Sequence, residues 1–173
     1  LDDTALMSTD SRTMAHGAPT SGTAVKTLVV VFATAVGEYL LRYGADLGYK
    51  TLLVEPQRAR VAATDVTVLT GVPADLGEHA DLVVTDHHRP ELGALVQSAL
   101  RSNARWIGVM GNPRHPPPHV PALRALGVPE SDIARVHRPI GLNIGSRTPP
   151  EIAIATLAGL IADRNGKPGG FEF

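Results

Sequence analysis

The 173-residue chain contains no cysteine, which excludes a disulfide framework, a thiolate metal site and a thiol nucleophile. Charge of one sign is also missing. Sixteen basic residues against 17 acidic ones give a formal net charge of −1, so no strong field draws the chain to nucleic acid or to an acidic membrane surface. No apolar run reaches the roughly 18 residues of a membrane span, and the first residues lack the basic-then-apolar order of a secretory signal. A cytoplasmic protein with neither nucleic acid nor membrane among its partners is the expectation. Length allows one domain and no second one, with about 70% of the unfolded surface buried in a single core. Residues 1–25 are rich in Ser, Thr, Ala and Gly, include Met7, Met14 and His16, and have no sustained apolar period. They read as a flexible tail, leaving 26–165 as the folded domain and 166–173 as a C-terminal tail.

What is present is an alternation of short apolar runs and helix-period segments. Leu28–Phe32 is apolar and β-branched, as suits a central strand of a parallel sheet covered on both faces. Val36, Tyr39, Leu40, Tyr43 and Leu47 then recur at helical spacing, with Gly48 as the C-cap. A second strand, Thr51–Val54, ends at Glu55. Val66–Leu69 and Asp81–Thr85 read as further strands. Pro90 opens a helix with Leu92, Leu95, Val96 and Ala99 on one face, and Asn103–Met110 ends in another strand. Val120–Leu126, stopped by Gly127, and Pro129–Val136 read as short helices. The alternation predicts an α/β fold, a doubly wound, Rossmann-like and mostly parallel sheet with helices on both faces. Ligands of such sheets bind off the carboxyl ends of the strands at the switch point. Loops 33–37, 85–89 and 111–115 are therefore expected to open on one edge.

Four stretches carry candidate chemistry. After the first strand, where a dinucleotide-binding turn places its glycines, stand Ala33-Thr-Ala-Val-Gly37. Gly37 holds the position that lets the helix pack closely on the strand, whereas Ala33 and Ala35 narrow the space for a phosphate. Glu55 follows about twenty residues on, where an acid would take a ribose hydroxyl pair. Asp86-His87-His88 is the richest titratable set; a His there suits acid–base work near neutral pH or a metal, and one of the two at most faces a pocket. Gly111-Asn-Pro-Arg114 leads into Pro116-Pro-Pro118, a stiff polyproline stretch that reads as a rigid surface loop. His115 and His119 thus do not form the pair of a metal-binding helix, while Arg114 can meet a phosphate.

The densest stretch is Arg138–Ile154. Thr148 and Glu151 form a capping box, with Pro149 at the first helical position. Ile154, Leu157, Ala158 and Ile161 fall on one helix face and Ile152 and Leu160 widen it, so a helix over 149–163 buried on more than one side is expected. Upstream, Gly141 and Gly145 free the backbone, and Arg147 stands beside a helix start able to hold an anion. The plainer alternative is a turn feeding a well-capped helix.

Pro139-Ile-Gly-Leu-Asn-Ile-Gly145, continued by Arg147-Thr-Pro-Pro-Glu-Ile-Ala153, resembles the C-terminal signature of the xanthine dehydrogenase accessory protein family (XdhC/CoxI type). Members carry Pro-Ile-Gly-Leu-Asp-Ile-Gly and then Thr-Pro-Glu-Glu-Ile-Ala. The resemblance covers about residues 28–164. It implies a Rossmann-type domain in a non-enzymatic maturation factor for a molybdenum hydroxylase such as xanthine or carbon monoxide dehydrogenase. Members of full length also carry an N-terminal domain with a Cys motif, which these residues do not include. The chain departs from the family at the first turn, where members have Phe-Gly-Ala-Gly-His-Val-Gly, and after the fifth strand, where they have Gly-Ser-Arg-Arg. On this reading the ligand is the molybdenum cofactor in its pterin dinucleotide form, or NAD(P). Gly37, Glu55, Asp86, His87, Gly111, Arg114, Gly145, Arg147 and Thr148 would line its site, and helix 149–163 would pack on the sheet or across a homodimer. Two rivals stand beside it. One is an NAD(P)-dependent oxidoreductase with His87 as proton donor, against which count the altered turn, the lack of a second domain and the lack of a Tyr-Lys pair at catalytic spacing. The other is a scaffold with a vestigial nucleotide site.

Overall fold

The computed structural model describes residues 24–171. The expected N-terminal tail, with Met7, Met14 and His16, lies outside the described residues but for its last two positions. The described chain runs β1 (Thr27–Val31), α1 (Ala35–Asp46), β2 (Lys50–Val54), β3 (Thr67–Leu69), β4 (Ala80–Val84), α2 (Leu92–Arg101), β5 (Trp106–Val109), α3 (His119–Ala125), α4 (Glu130–Ile133), β6 (Val136–His137) and α5 (Pro149–Arg164). One turn of 3-10 helix, Arg58–Arg60, lies between β2 and β3. The strands form a single sheet in the order β3-β2-β1-β4-β5-β6, and every pair is parallel. Winding reverses between β1 and β4, which makes their carboxyl ends the switch point.

Strand alternation divides the core into two layers. Val29, Val31, Leu52, Val54, Leu82 and Val84 face α2 and α3. Leu28, Val30, Leu53 and Val83 face α1 and α5. Strands buried on both faces have no polar side, so β1 and β4 read as continuous apolar runs.

Two expectations change. Pro129–Val136 is not one helix: α4 stops at Ile133, and Val136–His137 is a sixth strand paired with Ile107 and Gly108. A two-residue strand has no alternation to recognise, and its pairing is entirely long-range. On α5 the buried set is Ala153, Ala155, Thr156, Leu157 and Leu160, while Ile154 and Ile161 are 52% and 38% exposed. The sheet takes the face through Ala153, Leu157 and Leu160. Ile154, Ala158 and Ile161 turn instead toward Tyr43 of α1 and Leu47 at its C-cap, in a shallow apolar trough.

The amino-terminal edge of the sheet is closed by charge. Asp81, fully buried, lies 2.8 Å from guanidinium nitrogens of both Arg105 and Arg164, and Tyr49 Oη is 3.5 Å from its Oδ2. Burial pushes the Asp81 carboxyl above its ordinary value, and the two guanidiniums pull against that rise. Arg164 also donates to the His79 carbonyl at 2.7 Å, tying the end of α5 to the strand it covers. At the β5–β6 edge the indole of Trp106 stacks on the imidazole of His137, centroids 5.0 Å apart and planes 8° from parallel. Among the described residues no helix is long and apolar enough to cross a membrane.

Candidate functional site

At the carboxyl edge, the chain leaves β1 through Phe32, whose φ of 76° puts a bulky residue in the left-handed region. Such a conformation costs on the order of 1–3 kcal/mol and survives only where its surroundings enforce it. Here the ring is fully buried under the Arg89 guanidinium, 5.3 Å from its centroid. Thr34 then caps α1, its hydroxyl accepting from Gly37 N at 3.0 Å. The same hydroxyl meets Thr85 Oγ1 at 2.9 Å, and Thr85 Oγ1 lies 3.0 and 3.2 Å from the Val31 and Phe32 carbonyl oxygens. Two threonines thus lock the loops after β1 and β4 together at the switch point. A Cβ on Gly37 would lie 3.1 Å from Val30 Cγ1 and 3.2 Å from the Phe32 oxygen, so close helix–strand packing is what that glycine permits.

Glu55 sits beneath the first loop. Its side chain has no exposed surface. Oε2 accepts from Ala33 N at 3.0 Å, Oε1 from Gln57 N at 3.1 Å, and Arg60 and Arg89 approach to 3.5 and 3.9 Å. The carboxylate therefore holds the loop. Contact with a ribose would require it to leave these partners.

Two clefts flank the first turn of α1. The larger, ≈ 1040 Å³, is walled by Val36, by Thr85 and His87 after β4, by Met110–Arg114 after β5, and by residues of the 139–147 segment, with Ile152 and Thr156 of α5 at its side. The smaller, ≈ 410 Å³, lies between α1 and the 60–64 segment and is lined by Ala33, Ala35, Gly37, Glu38 and Arg60 among others. Loops 33–37, 85–89 and 111–115 do open on one edge, as the topology requires.

The larger cleft has no carboxylate in its lining, and its cations are Arg114 and Arg147. Among the described residues neither guanidinium has a salt-bridge partner. His87 reaches the cleft while His88 beside it is exposed. Burial lowers the His87 imidazole below its ordinary value, helped by the charges of His88 and Arg138 and opposed by a hydrogen bond to the Met110 backbone. His87 is thus a neutral donor–acceptor at pH 7. Burial pushes Asp86 up, but the His88 backbone N–H and the Arg89 guanidinium outweigh it and hold the carboxyl below the usual range. Its oxygens accept from them at 2.9 Å each.

Arg138 braces the loop after β5. Its guanidinium donates to the Asn112 and His115 carbonyls at 3.1 Å, and a Cβ on Gly111 would fall 2.4 Å from its Nη2, so only glycine lets the arginine cross there. Gly141, at φ 86°, lies against α5: a Cβ on Gly159 would stand 3.1 Å from Gly141 Cα. At the start of α5 the capping box is formed, and Glu151 Oε2 accepts from Arg147 N at 2.8 Å and from Thr148 N at 3.0 Å.

Of the nine residues expected at the site, His87, Gly111, Arg114, Gly145 and Arg147 line the larger cleft and Gly37 lines the smaller. Three lie off both linings. Glu55 is turned under the loop, Asp86 is bound within its own turn, and Thr148 is spent on the cap. Sequence reasoning missed the Thr34–Thr85 bridge, Arg138 and Arg60. Thr34 carried a signal, a cap residue ahead of an apolar helix period; Arg138 and Arg60 act over distances that spacing does not reveal. Among the described residues no three His, Cys, Asp or Glu side chains gather as a metal site.

Comparison with known proteins agrees with this architecture. An uncharacterized protein of Escherichia coli (strain K12), YqeB, is 38% identical over 90 residues, covering 51% of this chain and 16% of that protein. A crystal structure described as a xanthine dehydrogenase from Bacillus halodurans superposes with a TM-score of 0.66 at 19% identity, over 82% of this chain and 45% of that one. The chain thus corresponds to less than half of either protein, and the second likeness speaks to fold alone. Residues 28–160 match the family described as the XdhC Rossmann domain, and on that match over most of its length the chain belongs to this family.

Proposed function

We propose that the chain is an accessory factor in the maturation of a molybdenum hydroxylase of the xanthine dehydrogenase type, and that it holds the pterin dinucleotide form of the cofactor at the switch point. The observation that carries the reading is the pair of clefts on either side of the first turn of α1. A large ligand with several recognition groups is the class that occupies neighbouring clefts on the carboxyl edge of such a sheet. The residues fit the organic part of that cofactor. Neutral His87, Asn112, Asn143, Ser146 and Thr156 offer hydrogen bonds to a heterocycle, and Arg114 and Arg147 offer charge to a phosphate. When bound, the cofactor would bring the metal and its redox chemistry; this chain's residues orient it and shield it from water. The place of Glu55 weighs against NAD(P) as ligand, because the carboxylate that would take the ribose hydroxyls is committed to backbone N–H groups.

The test is a thermal-shift series with molybdopterin cytosine dinucleotide, NAD, NADP and CTP. A ligand at 100 times its Kd adds about 2.7 kcal/mol, which moves the midpoint of a domain this size by several degrees. A shift with the pterin dinucleotide, together with capture of a cofactor-free hydroxylase, is the expected outcome. Failure of both would overturn the proposal, and hydride exchange with NADPH would replace it with the oxidoreductase.

A further inference from the structure

The usual phosphate subsite of this fold is the first turn of α1, where backbone N–H groups and the helix dipole face an anion. In this chain that turn is partly satisfied from within. Ala33 N donates to the Glu55 carboxylate, Gly37 N donates to the Thr34 hydroxyl, and Glu55 places a buried negative charge directly under the loop. Arg60 and Arg89, the nearest cations, face Glu55, Asp86 and Glu91. The start of α5 is satisfied in the same manner, since Arg147 N and Thr148 N both donate to Glu151. Across the crevice, among the described residues, the guanidiniums of Arg114, on the loop after β5, and Arg147, ahead of α5, have neither a salt-bridge nor a hydrogen-bond partner, whereas Arg138 is held by the Asn112 and His115 carbonyls. Arg114 and Arg147 line a cleft that holds no carboxylate.

We infer that the anion-binding subsite of this protein has moved from the α1 turn to the Arg114–Arg147 wall, and that its ligand is a diphosphate or the diphosphate bridge of a dinucleotide. Glu55 occupies the electrostatic role that a ligand phosphate has at the α1 turn elsewhere, so a phosphate approaching the two donors left there, Ala35 N and Val36 N, would meet a like charge. A guanidinium presents a planar fork of donors that matches phosphate oxygens in pairs, and two of them on separate loops suit two linked phosphoryl groups. Asn112, Asn143 and Ser146 supply uncharged donors in the same lining. The proposed cofactor reading enters only in naming a dinucleotide as the natural ligand; the subsite itself stands on the charge arrangement.

Inorganic pyrophosphate is the probe, titrated calorimetrically at low fixed ionic strength, because exposed charge pairs are screened by salt. Wild type should bind it. Arg114→Gln and Arg147→Gln should each weaken binding at least about tenfold, the scale of one charge-assisted hydrogen bond, while Ala33→Gly with Ala35→Gly should leave it within about twofold. Both arginines are exposed, so the variants keep the fold, which an unchanged thermal midpoint verifies. No binding to wild type, binding indifferent to both arginine changes, or binding that depends on the alanine changes would each overturn the inference. Pyrophosphate bound through the arginines without any binding of the pterin dinucleotide would sink the cofactor reading and leave this subsite intact. Dinucleotide binding that survives both substitutions would do the reverse.

Discussion

Two carboxylates, Glu55 and Asp81, are fully buried at opposite ends of the same sheet, each between two arginines. The difference lies in what stands closest. Asp81 is held by guanidiniums at 2.8 Å, contributed by the start of β5 and the end of α5, so it clamps separate elements. Glu55 is held by backbone N–H groups at 3.0 and 3.1 Å, and its arginines stand off at 3.5 and 3.9 Å, so it shapes a loop. One end of the sheet uses charge to fasten; the other uses it to set the form of an opening. Paired arginines at the amino edge therefore fasten elements, whereas among the described residues Arg114 and Arg147, which line the larger cleft at the carboxyl edge, have no carboxylate partner.

The largest expected effect is on the clamp. Asp81→Asn leaves two partly buried guanidiniums without their counter-charge and should cost about 3 kcal/mol in a urea unfolding titration. Glu55→Gln should cost less, about 2 kcal/mol, since the amide oxygen still accepts from one backbone N–H while its NH₂ faces the other. An equal loss in the two variants would erase the distinction between clamp and loop former. Thr34→Val removes both the cap of α1 and the bridge to Thr85, and should lower stability by about 1 kcal/mol with disorder confined to the loops after β1 and β4 in amide exchange.

The smallest effect is a pH slope. His87 and the buried His119 both have imidazoles lowered chiefly by burial. Their neutral forms are favoured in the fold, so the unfolded chain binds more protons once pH falls below about 6.5. Stability should decline as pH drops from about 7 to 5, and His119→Gln should flatten that decline. Asp86 acts in the opposite range. Its lowered pKa contributes stability that is fully present above about 4 and lost as pH falls through the folded value. A midpoint-versus-pH series with His119→Gln and Asp86→Asn would separate the two.

Much of this arrangement was legible in the sequence because it rests on local chemistry. β1 and β4 are β-branched apolar runs, α1 has helical spacing closed by Gly48, and α5 opens on its capping box, so order and type follow from period and caps. β6 was not legible, since two residues have no period. Nor was the exposed side of α5: Ile154 and Ile161 are as apolar as Leu157, and only the placement of α1 decides which of them meets solvent. At the site, the loops followed from topology and His87, Gly111 and Arg114 came with them, while Gly145 and Arg147 came from the stretch ahead of the capped start of α5. Glu55 did not. Its position after β2 matches that of a ribose-binding acid, but the loop above it lacks the usual glycines and draws the carboxylate inward through Ala33 N, a contact between residues 22 apart that no spacing rule contains.

The stack of Trp106 on His137 has a practical consequence. Trp106 is the only tryptophan in the chain, so all indole emission arises from one ring at the β5–β6 edge. Its neighbour Ile140 belongs to the 139–147 segment, and a Cβ on Gly108 would lie 2.2 Å from the ring and 2.8 Å from Ile140 Cγ2. Fluorescence will thus report on the two-residue strand and on the start of the segment that walls the larger cleft, and will be silent about the interior strands. A ligand that shifts that segment becomes visible without any added dye.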